Sequence, residues 1–266
     1  MQKINIIHLL PPPIHKNNVI YSLQKKTLLR IAIAEDEERH LTPIIQEASA
    51  FKKAEINIIS KNGFDLLMSL KTVKRLPDIL LLDIKMPKID GLLLTQYITF
   101  IHPSIKIIGV SSHSNEALVT EVLSEGALGF ITKFFLKRES AVYQGTYGNR
   151  NILFEAMEAV LDNKEYIDSL LFNQRDSIKK SKSTKSIIRE NFANIPNTHM
   201  EYLILNAANL SHTEIAKVMN KSLASVKNYF NLLSAEFIVS NRSELVYHCT
   251  TNGIVKHPRF YDKSAN

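Results

Sequence analysis

Four short patterns in this chain carry side chains that could do chemistry together. Glu35 and Asp36 stand side by side at the end of an apolar run, in IAIAEDEE (31–38). Adjacent carboxylates repel unless something positive sits between them. A hard divalent cation with oxygen ligands meets that need, and Mg²⁺ is the usual companion of phosphate. Asp83 closes the apolar run of LLLDIKMPKIDG (80–91). A carboxylate held at the end of a buried strand can attack a phosphoryl group and become an acyl phosphate. A metal and a lysine would then offset charge on the phosphoryl oxygens. Ser111, in GVSSHS (109–114), can offer a hydroxyl to the new phosphate, with Ser112 its near rival. Lys133, closing GALGFITK (126–133), can pair with it, and Phe130 lies three residues earlier. Each has an ordinary reading: a solvated acidic loop, helix N-caps, a surface lysine, a core phenylalanine. Their arrival at successive strand ends favours the joint one.

The elements that must hold these residues follow from the hydrophobic pattern. LRIAIAE (29–35), EINIIS (55–60), PDILLLD (77–83), IKIIGV (105–110) and GFIT (129–132) read as five strands. Helical stretches at 37–51, 64–72, 91–101, 114–126 and 152–163 alternate with them. This predicts an α/β unit, a five-stranded parallel, flavodoxin-like sheet with helices on both faces, over 29–169. Such sheets bind ligands at the carboxyl ends of their strands, where all the named polar residues fall. Residues 1–28 read as a flexible extension and 170–195, rich in Lys and Ser, as a basic linker. Four helical stretches follow in an all-α unit over 196–256, then a tail at 257–266. Ser211 with Glu214 forms a capping-box pattern, Ser222 opens the third helix, and Asn241 with Glu244 opens the fourth.

LSHTEIAKVMNKSLASVKNYF (210–230) has the pattern of a helix-turn-helix. In the helix after the turn, Leu223, Val226, Phe230, Leu233 and Phe237 share a face expected to be core. Ala224, Ser225, Lys227, Asn228 and Asn231 point outward, a mix suited to base edges and phosphates of double-stranded DNA. The charge distribution agrees. The chain carries +7 overall, and residues 171–195 hold six Lys/Arg against two acids. Such a basic segment beside the helices fits nucleic-acid contact. A single cysteine, Cys249, excludes an intramolecular disulfide and suits a reducing, cytoplasmic setting. No apolar run approaches a membrane span.

Taken together, Glu35/Asp36, Asp83, Ser111, Phe130 and Lys133 make residues 29–165 resemble the receiver domain of two-component response regulators. That resemblance implies a histidine kinase as phosphoryl donor, Asp83 as acceptor, and Mg²⁺ held by Glu35, Asp36, Asp83 and the Lys85 carbonyl. It makes Ser111, Phe130 and Lys133 the switch residues, with Phe130 rotating inward on phosphorylation. EYLILNAANLSHTEIAKVMNKSLASVKNYF with NRSELV resembles the LuxR-type helix-turn-helix of the NarL/FixJ group, over roughly 195–254. This implies a transcription regulator, not an enzyme, that forms a homodimer when phosphorylated and reads DNA through Ser225, Lys227, Asn228 and Asn231. The chain departs from these patterns at Phe134, where a proline is frequent, and at Thr198-His199, Asn209 and Glu236. Residues 134–151 exceed an ordinary strand-to-helix connection by about a dozen residues. Within this stretch, residues 138–150, with Gly145, Gly148, Tyr143 and Tyr147, read as a flexible surface loop rather than core, bordering the dimer face. Glu236, Thr198 and His199 leave a second reading open, in which the helical unit binds protein.

Overall fold

The computed structural model describes residues 28–52, 54–112, 116–174 and 195–256. Strands β1 (Arg30–Ala34), β2 (Glu55–Ser60), β3 (Ile79–Asp83), β4 (Lys106–Ser111) and β5 (Gly129–Thr132) alternate with helices α1 (Glu38–Ser49), α2 (Gly63–Thr72), α3 (Gly91–Ile101) and α4 (Glu116–Ser124). All strands pair in parallel. The sheet order is β2-β1-β3-β4-β5-β6. Alternation along each strand splits the core in two. Ala32, Leu80, Leu82, Ile107 and Phe130 face α2, α3 and α4. Ile31, Ile33, Leu81, Ile108 and Ile131 face α1 and the later helices. β3 is buried throughout, as a central parallel strand with both faces covered must be.

Two features differ from the sequence reading. The five expected strands are joined by a sixth, β6 (Tyr166–Ile167), on the outer edge of β5. Two residues are too few to show periodicity. The stretch after β5 is also not a flexible loop. It forms a 3₁₀ turn (Lys133–Lys137) and a short helix, α5 (Ala141–Tyr147), before α6 (Ile152–Leu161). Tyr143 and Tyr147 are buried, with ring centroids 4.8 Å apart. Phe134 lies 5.8 and 5.9 Å from them. The residue standing where a proline is frequent thus anchors an aromatic cluster that seats α5. Tyr143 donates to the Arg150 carbonyl at 2.9 Å.

Asp168, fully buried just beyond β6, ties these parts together. It accepts from the Thr132 amide (3.1 Å), the Thr132 hydroxyl (2.7 Å), the Leu170 amide (3.1 Å) and the Tyr147 hydroxyl. A buried carboxylate with four donors satisfies its lone pairs. A second 3₁₀ turn (Ser169–Gln174) follows, with Leu171 buried. Residues 1–27, nearly all of the expected extension, the greater part of the linker (175–194) and the tail (257–266) lie outside the described residues.

The C-terminal part contains α7 (Asn197–Ala207), α8 (His212–Met219), α9 (Leu223–Phe237) and α10 (Arg242–Thr251). The expected caps are present: the Ser211/Glu214 box, Ser222 and Asn241. Arg242 donates to the Asn206 side chain and the Leu210 carbonyl, fastening α10 to α7. These helices pack on the α2–α3–α4 side of the sheet unit. Tyr97 donates to Glu201 at 2.7 Å. Gln96 donates to the Ile254 carbonyl and accepts from the Lys256 amide, both at 3.2 Å. Lys71 donates to the Lys217 carbonyl, and Lys256 lies 3.5 Å from Glu125. Ile254 and Val255 are buried. Among the described residues no helix is long and apolar enough to cross a membrane.

Candidate functional site

Parallel register brings the chemistry to one edge. Asp83 pairs with Val110 and Ser111 with Thr132, so β3, β4 and β5 end in step beside Glu35, the residue after β1. Glu35, Asp83, Ser111 and Lys133 are all buried. Asp36 is half-buried. Asp83 is not a helix cap; that place belongs to Asp90, which accepts from the Leu93 amide at 2.9 Å and starts α3. Gly91 lets α3 begin directly beneath the strand end. A Cβ there would lie 2.5 Å from the Asp83 carbonyl oxygen and 2.6 Å from the Ile84 Cα.

The Lys133 ammonium bridges the carboxylates. It lies 2.7 Å from Glu35 Oε2 and 3.1 Å from Asp83 Oδ2. Asp83 Oδ1 accepts from the Lys85 amide at 3.2 Å, and Glu35 Oε1 from the Glu37 amide at 3.2 Å. Burial, opposed by the Lys133 charge and reinforced by Glu35, pushes the Asp83 carboxyl up to about 6. Burial raises Glu35 as well, while Lys133 pulls it back. Glu35, Asp36 and Asp83 each present an oxygen within 4.8 Å of the others. With Lys133 as counter-charge, three ionised carboxylates leave the pocket at about −2, a charge that one dication cancels. The donor set fits a hard divalent cation.

Of the two serines, Ser111 is the buried one and Ser112 is exposed. Phe130 is fully buried beneath α4, beside Gly109. Its side chain points inward in this structure. Two residues here escaped the sequence reading. His40, one helical turn beyond the acid pair, places Nδ1 3.2 Å from the Lys133 ammonium. Burial and the Lys133 charge lower its affinity for a proton. Asp168 holds Thr132, the neighbour of Lys133. The position of His40 within EDEERH was a signal, since a residue in the first turn after a strand end can reach back over it. Asp168 gave none.

In the helical unit, Ala224, Lys227, Asn228 and Asn231 are exposed along α9, as expected. Ser225 is half-buried. Its hydroxyl lies 2.9 Å from that of Ser222, and its amide donates to Ser222 at 3.0 Å, so it serves the helix start first. Val226 and Leu233 are core; Phe230 and Phe237 are half-buried. Leu223 is 41% exposed, contrary to the helical-face expectation, because it lies in the first turn, beyond the core. Asn209 adopts a positive φ of 58°, a conformation that asparagine tolerates. His199 sits edge-on to Tyr229 at 5.4 Å, a packing role.

The response regulator receiver domain matches residues 31–141. This unit is a response-regulator receiver domain. The transcriptional regulatory protein DegU of Brevibacillus brevis is 26% identical over 192 residues, 68% of this chain and 76% of DegU. LnrK of Bacillus subtilis, also a transcriptional regulatory protein, is 24% identical over 238 residues, 85% of this chain and 99% of its own length. The Salmonella typhimurium response regulator RcsB aligns over 84% of this chain and 98% of its own, with 20% identity and a TM-score of 0.47. The LnrK match extends beyond the receiver into the helical C-terminal part.

Proposed function

We propose that this chain is a two-component response regulator whose receiver is phosphorylated on Asp83 by a histidine kinase, and whose α8–α9 pair binds double-stranded DNA to control transcription. The observation carrying the first half is the buried Lys133 ammonium between Glu35 and Asp83 at the ends of neighbouring strands. The second half is supported by relatives named as transcriptional regulators along much of the chain, and by the open polar face of α9.

An Asp83 carboxylate oxygen attacks phosphorus, the bond from phosphorus to the donor nitrogen breaks, and an acyl phosphate forms. The Lys85 amide and Lys133 hold the attacking carboxylate in one orientation, so little motion is needed to reach phosphorus. Lys133 stays paired with the negative phosphoryl oxygens, and Ser111 at the neighbouring strand end can donate its hydroxyl to them. Glu35, Asp36, Asp83 and the Lys85 carbonyl would hold Mg²⁺, which when bound would supply charge neutralisation for the transferring group. Phosphorylation pulls Ser111 and Lys133 toward one point. The displacement reaches Thr132 and, through Asp168, the strand that leads to the linker. A homodimer then presents two copies of α9 to DNA half-sites about one helical turn apart.

The test is incubation of the full chain with acetyl phosphate and Mg²⁺, followed by intact mass. Wild type is expected to gain one phosphoryl group, and Asp83→Asn, which cannot form an acyl phosphate, none. The same gain in Asp83→Asn would move the acceptor elsewhere.

A further inference from the structure

The contact between His40 and Lys133 belongs to none of the roles above. An ammonium has three N–H donors. Those of Lys133 reach Glu35 at 2.7 Å, Asp83 at 3.1 Å and His40 Nδ1 at 3.2 Å. Because lysine can only donate, Nδ1 is the acceptor and the imidazole hydrogen sits on Nε2. His40 stands in the first turn of α1 with 19% of its side chain exposed, 3.7 Å from Glu35 and 3.5 Å from Glu37.

We infer that His40 is a positioning residue for phosphoryl transfer, aiming the Lys133 ammonium over the acceptor; this rests on Asp83 being the acceptor. Two of the three Lys133 partners change role when the site works. Asp83 turns its oxygen to phosphorus, and Glu35 is a candidate metal ligand. His40 does neither. Among the described partners it is the one with neither role, and so the one free to hold the ammonium while the others are drawn away. Without it, the four-carbon stem of lysine is free to sample other rotamers just as its carboxylate partners are drawn away. A small misplacement of a charge-stabilising group lowers the rate without removing the chemistry.

The experiment follows phosphoryl uptake from acetyl phosphate by intact mass, at saturating Mg²⁺, in the full chain. His40→Ala removes the acceptor, while His40→Gln restores one through its amide oxygen. Uptake by His40→Ala is expected to slow by about tenfold and His40→Gln to recover to within about threefold of wild type. Mg²⁺ affinity, by calorimetry, is expected to stay within about twofold in both, because His40 Nδ1 accepts from Lys133 and so is not an outer-shell donor that holds a ligand. In a Lys133→Ala background, adding His40→Ala changes nothing, since the group to be aimed is gone. Wild-type rate in His40→Ala, no recovery with Gln, a parallel loss of Mg²⁺ affinity, or equal slowing in the Lys133→Ala background would each overturn the inference. If wild type takes up no phosphoryl group, the Asp83 reading fails and this one with it. If wild type is phosphorylated and His40→Ala matches it, only the histidine role is lost.

Discussion

Single residues carry most of the proposed chemistry, and the meeting of most of them at one sheet edge was legible in the sequence. Glu35, Asp36, Asp83, Ser111 and Lys133 each close an apolar run, and parallel strands must bring such ends together. His40 and Asp168 were harder to read, because their partners lie 93 and 36 residues away. Asp168 has a large structural stake. Asp168→Ala leaves the Thr132 amide and hydroxyl and the Tyr147 hydroxyl without their buried acceptor, and a loss of about 3 kcal/mol is expected from urea unfolding. An unchanged midpoint would show that the donors find other partners. Glu236 is exposed on α9, near its C-terminal end. An acid beside the DNA backbone repels phosphate, so Glu236→Lys is expected to tighten binding across sequences. It should also steepen the salt dependence by about one unit. Unchanged affinity and slope would place this position off the DNA and favour a protein partner for the helical unit.

At the scale of elements, periodicity found strands β1 to β5 and every helix but α5, with ends shifted by a few residues. It failed where tertiary contacts create structure that local sequence does not announce. α5 contains Gly145 and is bounded by Gly148, which reads as loop, yet Tyr143 and Tyr147 are buried and clamp it to Phe134 and Asp168. Deleting residues 138–150 is therefore expected to lower the melting temperature substantially, where a flexible loop would leave it unchanged. The helix ends offer two finer tests. α9 stops at Ile238, held at φ 55° with the residue 92% exposed. A β-branched residue is strained in that left-handed conformation, whereas glycine is not. Ile238→Gly is expected to stabilise the domain by about 1 kcal/mol. At the other end of the motif, the Ser211 amide and hydroxyl hold the Glu214 carboxyl below its ordinary range. A lowered carboxyl contributes stability above its unfolded value and loses it as pH falls through the folded one. Ser211→Ala is expected to cost about 1 kcal/mol near neutrality and to flatten that acid limb. A parallel downward shift of the whole curve would assign the cost to packing instead.

On the scale of the whole molecule, the charge pattern and the two motif sets announced a receiver joined to a reader. The way the two meet was not legible, because Gln96, Tyr97, Glu201 and residues 254–256 follow no pattern until the surfaces touch. The docked arrangement leaves Lys227, Asn228 and Asn231 exposed. Docking does not cover these side chains, so the proposed reader carries no penalty for uncovering them before it meets one half-site. The leverage of phosphorylation then lies in avidity. Joining two readers makes the second encounter intramolecular, at an effective concentration set by the dimer rather than by the cell. A duplex of about 12 base pairs, room for one reader, should bind the phosphorylated and unphosphorylated chains alike in a fluorescence-anisotropy titration. On a duplex long enough for two, phosphorylation should tighten binding by about a hundredfold. An equal gain on the short duplex would mean that the face is remade, not merely paired. Control of this kind is graded by protein abundance as well as by signal: at a high enough copy number, the unphosphorylated chain would occupy its sites unaided.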